Sequence, residues 1–210
     1  MVYILSNRNE FLWRTANHSK QSSSEFYSQF FTEKESLIMS TRTVLKNAVA
    51  SFPCLFEPSG LPGTEPNYSI TMLFDKDADL SALKACCDAA IAKKWPDPAS
   101  RPAKIDLPMK DGDQKLDING NQRPEFKGKK FCMAKAKVSH PPKVIMQDLQ
   151  PCMDQTEFYG GCIVNVSVSA YGWNFGGKNG VSLGLNIVQK VGDGEAFGGS
   201  VAIEDEFSAI

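Results

Sequence analysis

Alternating hydrophobic and polar positions predict a β-rich domain that begins just after residue 40. Six segments show the alternation of half-buried strands: residues 43–52, 68–75, 130–138, 143–147, 162–173 and 181–191. Residues 57–63, rich in proline and glycine, predict a loop after the first strand. The glycine-rich residues 174–180 suit a hairpin between the two longest strands.

One helix is predicted between the second and third strands. Its apolar face repeats at helical spacing and is formed by Leu80, Leu83, Cys87 and Ile91. Asp77 or Asp79 can cap its start, and Pro96 ends it. Residues 96–128 are rich in proline and turn residues and predict a long irregular excursion. The fold class is therefore mainly β, a small closed or half-closed barrel with a helix over one end.

The two ends of the chain differ from this pattern. Residues 1–38 are polar, with a low-complexity run at 19–25, and show no clear period. We expect them to be an extension dispensable for the core function, with Met39 as a candidate start. The predicted organisation is an extension at 1–38, a domain at 39–197 and a flexible acidic tail at 198–210.

Composition narrows the class of protein. The chain has 210 residues, of which 42% are hydrophobic and 22% charged, enough for one core. No apolar run approaches the length of a membrane helix, and the start lacks the basic region of a signal peptide. Six cysteines are too few for a disulfide scaffold in a chain of this size. These observations favour a cytoplasmic protein with reduced thiols and no membrane partner.

The distribution of charge says more than its total. The 23 basic and 24 acidic residues give a net charge of −1, which alone argues weakly against nucleic acid. However, residues 123–143 hold seven basic residues and one acidic residue, whereas residues 193–210 hold five acids and no base. The near-neutral chain thus carries two opposed charged segments.

The basic segment is interleaved with Phe126 and Phe131, and other aromatic residues follow it. Proteins bind single-stranded nucleic acid through cationic side chains that contact its phosphates and aromatic rings on which its unpaired bases stack. The candidate phosphate contacts are Arg123, Lys127, Lys129, Lys130, Lys135, Lys137 and Lys178. The candidate stacking residues are Phe126, Tyr159, Tyr171, Trp173 and Phe175.

The alternative is that these aromatic residues fill a core and the lysines form a solvated face. Against it, Tyr171, Trp173 and Phe175 share one parity and run into the hairpin, where burying all three would be difficult.

The acidic tail also has two interpretations. It is either a solubilising end or a nucleic-acid mimic that occupies the basic groove and docks on partner proteins. The second interpretation assigns partner binding to Glu204, Asp205, Glu206 and Phe207.

Enzyme and metal chemistry have weak support. Asp111-Gly112-Asp113 and Asp193-Gly194-Glu195 could hold Mg²⁺, but both lie in glycine turns, where Asp is common for conformational reasons. The two histidines lie far apart in sequence, and no Cys-x-x-Cys spacing suggests zinc. We therefore expect no enzyme activity, no metal and no cofactor.

Four strings carry a family resemblance: YSITMLFDK at 68–76, PMKDGD at 108–113, FYGGC at 158–162 and GVSLGLNIVQKVGDGE at 180–195. Together they resemble the OB-fold single-stranded-DNA-binding proteins of tailed bacteriophages, long catalogued as a domain of unknown function. The similarity covers residues 39 to 207, and the acidic, Phe-bearing ending resembles the tails of such proteins. The strings are mostly turns and strands, so they assign no stacking role to a single residue.

The resemblance implies an OB barrel that coats single-stranded DNA without sequence specificity during phage replication or recombination. The tail would contact replication or recombination proteins in the host cytoplasm. Analogy with the family also suggests that the protein could be a homodimer. The alternative function is a β-rich structural or interaction protein of a virion that binds no nucleic acid. That alternative does not require the segregation of charge.

Overall fold

In the computed structural model of the chain, residues 40–116 and 119–197 are described. The predicted extension at 1–38, Met39, and the tail with Glu204, Asp205, Glu206 and Phe207 lie outside these residues. The described part contains β1 Arg42–Ser59, β2 Asn67–Asp75, α1 Ser81–Lys94, β3 Lys110–Asp111, β4 Lys129–Lys137, β5 Lys143–Ile145, β6 Ile163–Phe175 and β7 Lys178–Gly192. Short 3-10 helices lie at Pro98–Ser100, Gly112–Gln114, Pro124–Phe126 and Gln155–Glu157.

Five strands close into a barrel. β4, β2, β1, β6 and β7 pair antiparallel in that order, and a parallel contact between β4 and β7 closes the ring. The two short strands are additions, since β3 pairs with β4 and β5 with β7. The predicted mainly-β barrel with one helix is confirmed.

The barrel interior follows from the alternation in the sequence. Val164, Val166 and Val168 of β6 are fully buried. They alternate with residues that are mostly polar, such as Asn165 and Ser167. β2 departs from a simple alternation because Leu73, on its outer face, is also buried. Phe126 and Phe131 pack against Leu73 there and form a second, smaller apolar cluster.

Helix α1 covers part of the barrel and lies mainly against β6. Just before the helix, the Asp79 carboxylate accepts a hydrogen bond from the Ser81 N–H at 2.9 Å, which lowers the pKa of Asp79. The cap residue itself is Leu80, which makes no side-chain capping bond, so neither Asp77 nor Asp79 is the cap that the sequence predicted. The helix ends beside Gly172 of β6, where a Cβ atom would come within 2.7 Å of the Lys94 Cβ. Glycine at this position therefore lets the helix end approach the strand.

Most strand boundaries differ from the sequence prediction by one to three residues, but the end of β1 differs by more. β1 continues through Ser59 rather than ending at Phe52, so the first strand includes part of the predicted loop. Asn47 and Phe52 adopt positive φ angles of 54° and 47° at bulges that bend the strand instead of ending it.

The hairpin between β6 and β7 is also tighter than predicted. Its turn consists only of Gly176 and Gly177, both at positive φ, and Phe175 pairs directly with Lys178. Positive φ at both central positions is the geometry of a type I′ turn, which glycine adopts without strain.

The excursion between α1 and β4 is fixed to the barrel by backbone hydrogen bonds. Asp106 donates its N–H to the Asn179 carbonyl (2.9 Å) and accepts from the Val181 N–H (2.8 Å). Gly112 contacts the Phe126 and Lys129 carbonyls so closely that a Cβ atom would not fit. The irregular segment is therefore fixed to the edge of β7 at Gly180 and to the backbone around the start of β4.

All six cysteines are free thiols. Burial raises the pKa of the Cys132 thiol to about 12, which makes it a packing residue rather than a nucleophile.

Candidate nucleic-acid interface

A groove lies on the outer face of the barrel where β4, β7 and β6 are neighbours. The outward positions of β7 are small: Gly180, Ser182 and Gly184 pair with Trp173, Tyr171 and Ser169 of β6. On the other side, Gly184 pairs with Lys135 of β4. Because the middle strand has small side chains and its neighbours have large ones, β7 forms the floor and β4 and β6 form the walls. The groove has a volume of about 540 Å³.

The β6 wall is aromatic. The Tyr171 side chain is 51% exposed. The Trp173 ring lies over Gly180, where a Cβ atom would come within 2.5 Å of the indole Cζ2. Glycine at 180 thus makes room for the indole at the groove wall. An exposed tyrosine and an indole beside a small-residue floor can receive unpaired bases by stacking.

The other side of the groove carries cations. Lys135 and Lys115 line it, and no ion pair joins either of them to an acid among the described residues. Lys110 also lines it, but its ammonium lies 3.7 Å from an Asp106 carboxylate oxygen. The Lys115 ammonium lies 5.9 Å from the centre of the Phe131 ring. The groove therefore offers two unpaired ammonium groups for phosphate oxygens.

The structure brings only part of the predicted set into this groove. Lys135, Tyr171 and Trp173 line it. Lys137 lies two residues beyond Lys135 on the same outer face of β4. Phe175, which is 82% exposed, marks the end of the hairpin that continues the β6 wall. Lys178 is its register partner there.

The other predicted cations lie elsewhere. Lys129 forms an ion pair with Asp75 at 2.7 Å. Lys130 lies at the opposite parity of β4, facing away from the groove side. Lys127 follows the 3-10 helix Pro124–Phe126 as an exposed residue. None of these three lines the groove.

Two predicted stacking residues have their rings committed to other contacts. Phe126 is 1% exposed and packs edge-on against Phe131, with ring centres 5.1 Å apart, so it offers no face to a base. The Tyr159 hydroxyl donates to the Asp193 carboxylate at 3.0 Å and accepts from the Gly194 N–H at 3.2 Å. The Lys190 ammonium lies 5.8 Å from the centre of the Tyr159 ring.

The contacts around Lys190 form a closed ionic network. This lysine is 7% exposed, and its ammonium pairs with Glu157 and, at 2.8 Å, with Asp193. Hydrogen bonds to Asp193 and Glu157 raise the pKa of Lys190 above its ordinary value. The same bond from Lys190, followed by the one from Tyr159, lowers the pKa of Asp193. The network joins the end of β7 to the segment before β6.

Arg123 lies in a second groove, of about 840 Å³, which shares no lining residue with the first. Its guanidinium lies 4.9 Å from the centre of the Phe52 ring and 3.5 Å from a Glu125 carboxylate oxygen. Ser51 also lines this groove, and its buried hydroxyl has no hydrogen-bond partner in the described part of the chain. Arg123 is thus separate from Lys135 and Tyr171.

Several groove residues were not among the predicted site residues, namely Lys110, Lys115, Phe131, Met133 and Ser182. A signal for part of this set was available. Phe131 and Met133 share the parity of Lys135 on β4, which is the outward parity. No comparable signal pointed to Lys110 or Lys115, because their position depends on how the excursion folds back on the barrel.

Three of the carboxylates considered for metal chemistry, Asp111, Asp113 and Asp193, have structural partners. Asp113 accepts hydrogen bonds from the Gly128 N–H (2.7 Å), Lys76 and Gln122, and the Gly128 and Lys76 bonds lower its pKa. Within residues 40–116 and 119–197, no cluster of three His, Cys, Asp or Glu side chains could hold a metal ion. Nor does that part of the chain contain a helix long and apolar enough to cross a membrane.

Comparison with known proteins places this barrel in a family. The family described as Enterobacter phage Enc34, ssDNA-binding protein, matches residues 41–210. The chain belongs to this family. This Enc34-family chain is also 33% identical over 180 residues to p50 of Acyrthosiphon pisum secondary endosymbiont phage 1, covering 79% of this chain and 92% of p50.

Solved structures agree with the assignment. The single-stranded DNA-binding protein from bacteriophage Enc34, in complex with ssDNA, is 27% identical, with a TM-score of 0.62, over 75% of this chain and 90% of that one. The same Enc34 protein without DNA gives 26% and 0.60 over 80% of this chain and 90% of that one. The bacteriophage T7 single-stranded DNA-binding protein gp2.5, at 16% identity and a TM-score of 0.50, covers 80% of this chain and 98% of its own. At that identity the T7 likeness shows the fold alone.

Proposed function

We propose that this protein binds single-stranded DNA along the β4–β7–β6 groove, without sequence specificity. The observation that carries the proposal is the groove itself, with Tyr171 and Trp173 facing unpaired Lys135 and Lys115 across a floor of small residues. Its family includes a protein whose structure was solved with ssDNA.

The dimensions of the groove favour a single strand over a duplex. Its walls are carried by the two strands that flank β7, so they stand two strand spacings apart, about 10 Å. Stacking on Tyr171 also requires a base with a free face, which a paired duplex does not offer. Stacking and phosphate contacts tolerate all four bases, which gives binding without sequence readout.

The proposal extends to the role of the protein and of its tail. A coat on single-stranded DNA serves phage replication or recombination in the host cytoplasm, and we assign the protein that role. The acidic tail competes with DNA for the cationic groove and, when displaced, recruits replication or recombination proteins. The support for the tail role is the run of three acids, Glu204, Asp205 and Glu206, in residues 198–210, which contain no base.

Binding is tested by titrating a fluorescent oligo-dT with the full chain at several salt concentrations, with a duplex of equal length as the control. We expect tighter binding to oligo-dT than to the duplex, and a decrease in log affinity with log salt of about 0.7 per phosphate contacted. No binding at low salt would contradict the proposal and favour a structural protein of the virion. Sedimentation of the same samples determines whether the protein is a homodimer.

The tail is tested by changing its charge without shortening it. Glu204→Gln, Asp205→Asn and Glu206→Gln together should raise the affinity for oligo-dT if the carboxylates compete with phosphate. Unchanged or weaker binding would exclude competition.

A further inference from the structure

The outer surface of the barrel continues past the groove, from β6 onto the start of β1. Ser169 of β6 pairs with Gly184 on one side and with Arg42 of β1 on the other. Gly184 in turn pairs with Lys135. These four residues therefore form one row across four neighbouring strands, with Lys135 and Arg42 at its ends, three strand spacings or about 14 Å apart.

The two residues in the middle of this row have small side chains or none. Gly184 has no side chain, and the Ser169 hydroxyl accepts a hydrogen bond from the Asn186 amide at 2.9 Å. The Tyr171 ring borders the row on the groove side, 3.9 Å from where a Cβ atom of residue 184 would lie. A strand stacked on Tyr171 thus has an open path over Gly184 and Ser169.

Arg42 is held at the far end of that path in an orientation suited to an anion. Its Nε donates to the Ser167 hydroxyl at 3.2 Å, which directs the guanidinium along the outer face of β6. The side chain is exposed, and among the described residues no acid forms an ion pair with it. The Arg123 guanidinium, by contrast, forms an ion pair with Glu125, at 3.5 Å from a carboxylate oxygen. A positioned guanidinium with free donors is a strong ligand for phosphate.

We propose that Arg42 binds a phosphate of the same DNA strand that fills the groove, so that the strand leaves the groove over Gly184 and crosses β6 towards β1. This inference rests on the proposed function, since it extends the path of the ligand. It makes the start of β1 part of the binding site, a segment that neither the basic run at 123–143 nor the aromatic residues of β6 indicate.

The first test uses Arg42→Ala in the full chain with oligo-dT of increasing length. Short oligonucleotides that fill only the groove should bind as they do to wild type. Longer ones should bind roughly three- to tenfold more weakly, and the salt slope should fall by about 0.7. The control is Lys84→Ala, which removes one charge from the exposed side of α1 and should change neither quantity.

The second test blocks the path. A Cβ atom at residue 184 meets only ordinary contacts, the nearest being the Ser169 carbonyl at 3.5 Å, so Gly184→Val should fold with an unchanged thermal midpoint. If the strand passes over this residue, Arg42→Ala should cause little further loss in the Gly184→Val background.

The outcomes separate the two proposals. If wild type binds long oligo-dT and Arg42→Ala matches Lys84→Ala, the Arg42 site is wrong while DNA binding stands. Equal losses from Arg42→Ala with and without Gly184→Val would also overturn the path. If wild type binds no oligo-dT at low salt, the proposed function itself fails.

Discussion

Two regions of this barrel use the same residue types in opposite ways. In the groove, Lys135 lines an open surface without an ion-pair partner in the described part, and Tyr171 is 51% exposed. At the end of β7, Lys190 is buried between two carboxylates, and the Tyr159 hydroxyl is held by Asp193. The first arrangement leaves charge and aromatic surface free for a ligand, whereas the second uses them to join two segments of the fold.

The difference teaches that partners, rather than residue type, decide the role of a lysine or an aromatic ring. A lysine whose charge is already neutralised cannot gain much from a phosphate, and a tyrosine with an ammonium group over its ring and a bonded hydroxyl offers less ring surface to a base. The comparison therefore predicts that mutations in the two regions affect different measured quantities.

The largest effect on stability is expected from Lys190→Met. Removing the ammonium leaves Glu157 and Asp193 facing each other without their cation, and we expect a loss of about 2 kcal/mol in the free energy of unfolding. Urea denaturation measures the loss. Affinity for oligo-dT at a temperature where the variant is folded should stay within twofold of wild type. A stable Lys190→Met with weakened DNA binding would reverse the roles assigned to the two regions.

Tyr171→Ala should have the opposite signature. Loss of one stacking surface should weaken oligo-dT binding by about 1–3 kcal/mol, while the free energy of unfolding changes little because the ring is half exposed. Tyr159→Phe is the matched control. It removes the hydroxyl bonds to Asp193 and Gly194, so it should lower stability and leave affinity unchanged. Wild-type affinity in a folded Tyr171→Ala would remove this residue from the site.

Lys135→Ala should reduce affinity by a smaller amount and in a salt-dependent way. With one fewer phosphate contact, the slope of log affinity against log salt should fall by about 0.7. Titrations at four salt concentrations give the slope. Lys129→Ala, in which the lost cation is the partner of Asp75, is the control and should keep the wild-type slope. Identical slopes for the two variants would contradict the distinction between free and paired lysines.

The smallest effect concerns acid. Asp193 has a pKa below its ordinary value of 3.8 in the folded protein, chiefly because of Lys190. A lowered folded-state pKa contributes stability above the ordinary value, and that stability is lost as pH falls through the folded-state pKa. The thermal midpoint of unfolding should thus decrease as the pH is lowered below about 4. The share of this decrease that is due to Asp193 should be absent in Asp193→Asn. If the thermal midpoint of that variant decreases in acid as much as that of wild type, the bond between Asp193 and Lys190 does not contribute.

The strands could be predicted because each carries its own signal. The buried parity of β6, with Val164, Val166 and Val168, is local and readable. The continuation of β1 past Phe52 could not be predicted, because it depends on a positive φ angle at Phe52, which β-strand propensities do not anticipate. Bulges of this kind are stabilised by pairing with distant strands.

The candidate groove was predictable where its lining follows from strand parity. Tyr171 and Trp173 share the outward parity of β6, and Lys135 that of β4. Phe126 shows the limit of reasoning from neighbours in sequence, since it lies in the basic run but packs under Phe131. Lys115 shows the other limit, because only the folded path of residues 96–128 brings it to the groove.

The closure of the barrel has a mechanical consequence. β6 and β7 are paired over thirteen residue pairs, but β4 and β7 meet through only two, Ala134 with Leu183 and Lys135 with Gly184. This short seam is where the ring has the fewest bonds holding it shut. The groove runs directly over this seam. A bound DNA strand that contacts Lys135 on one side and Tyr171 on the other would therefore hold the two sides of the seam together. DNA would then strengthen the protein at the place where the protein alone holds itself least firmly.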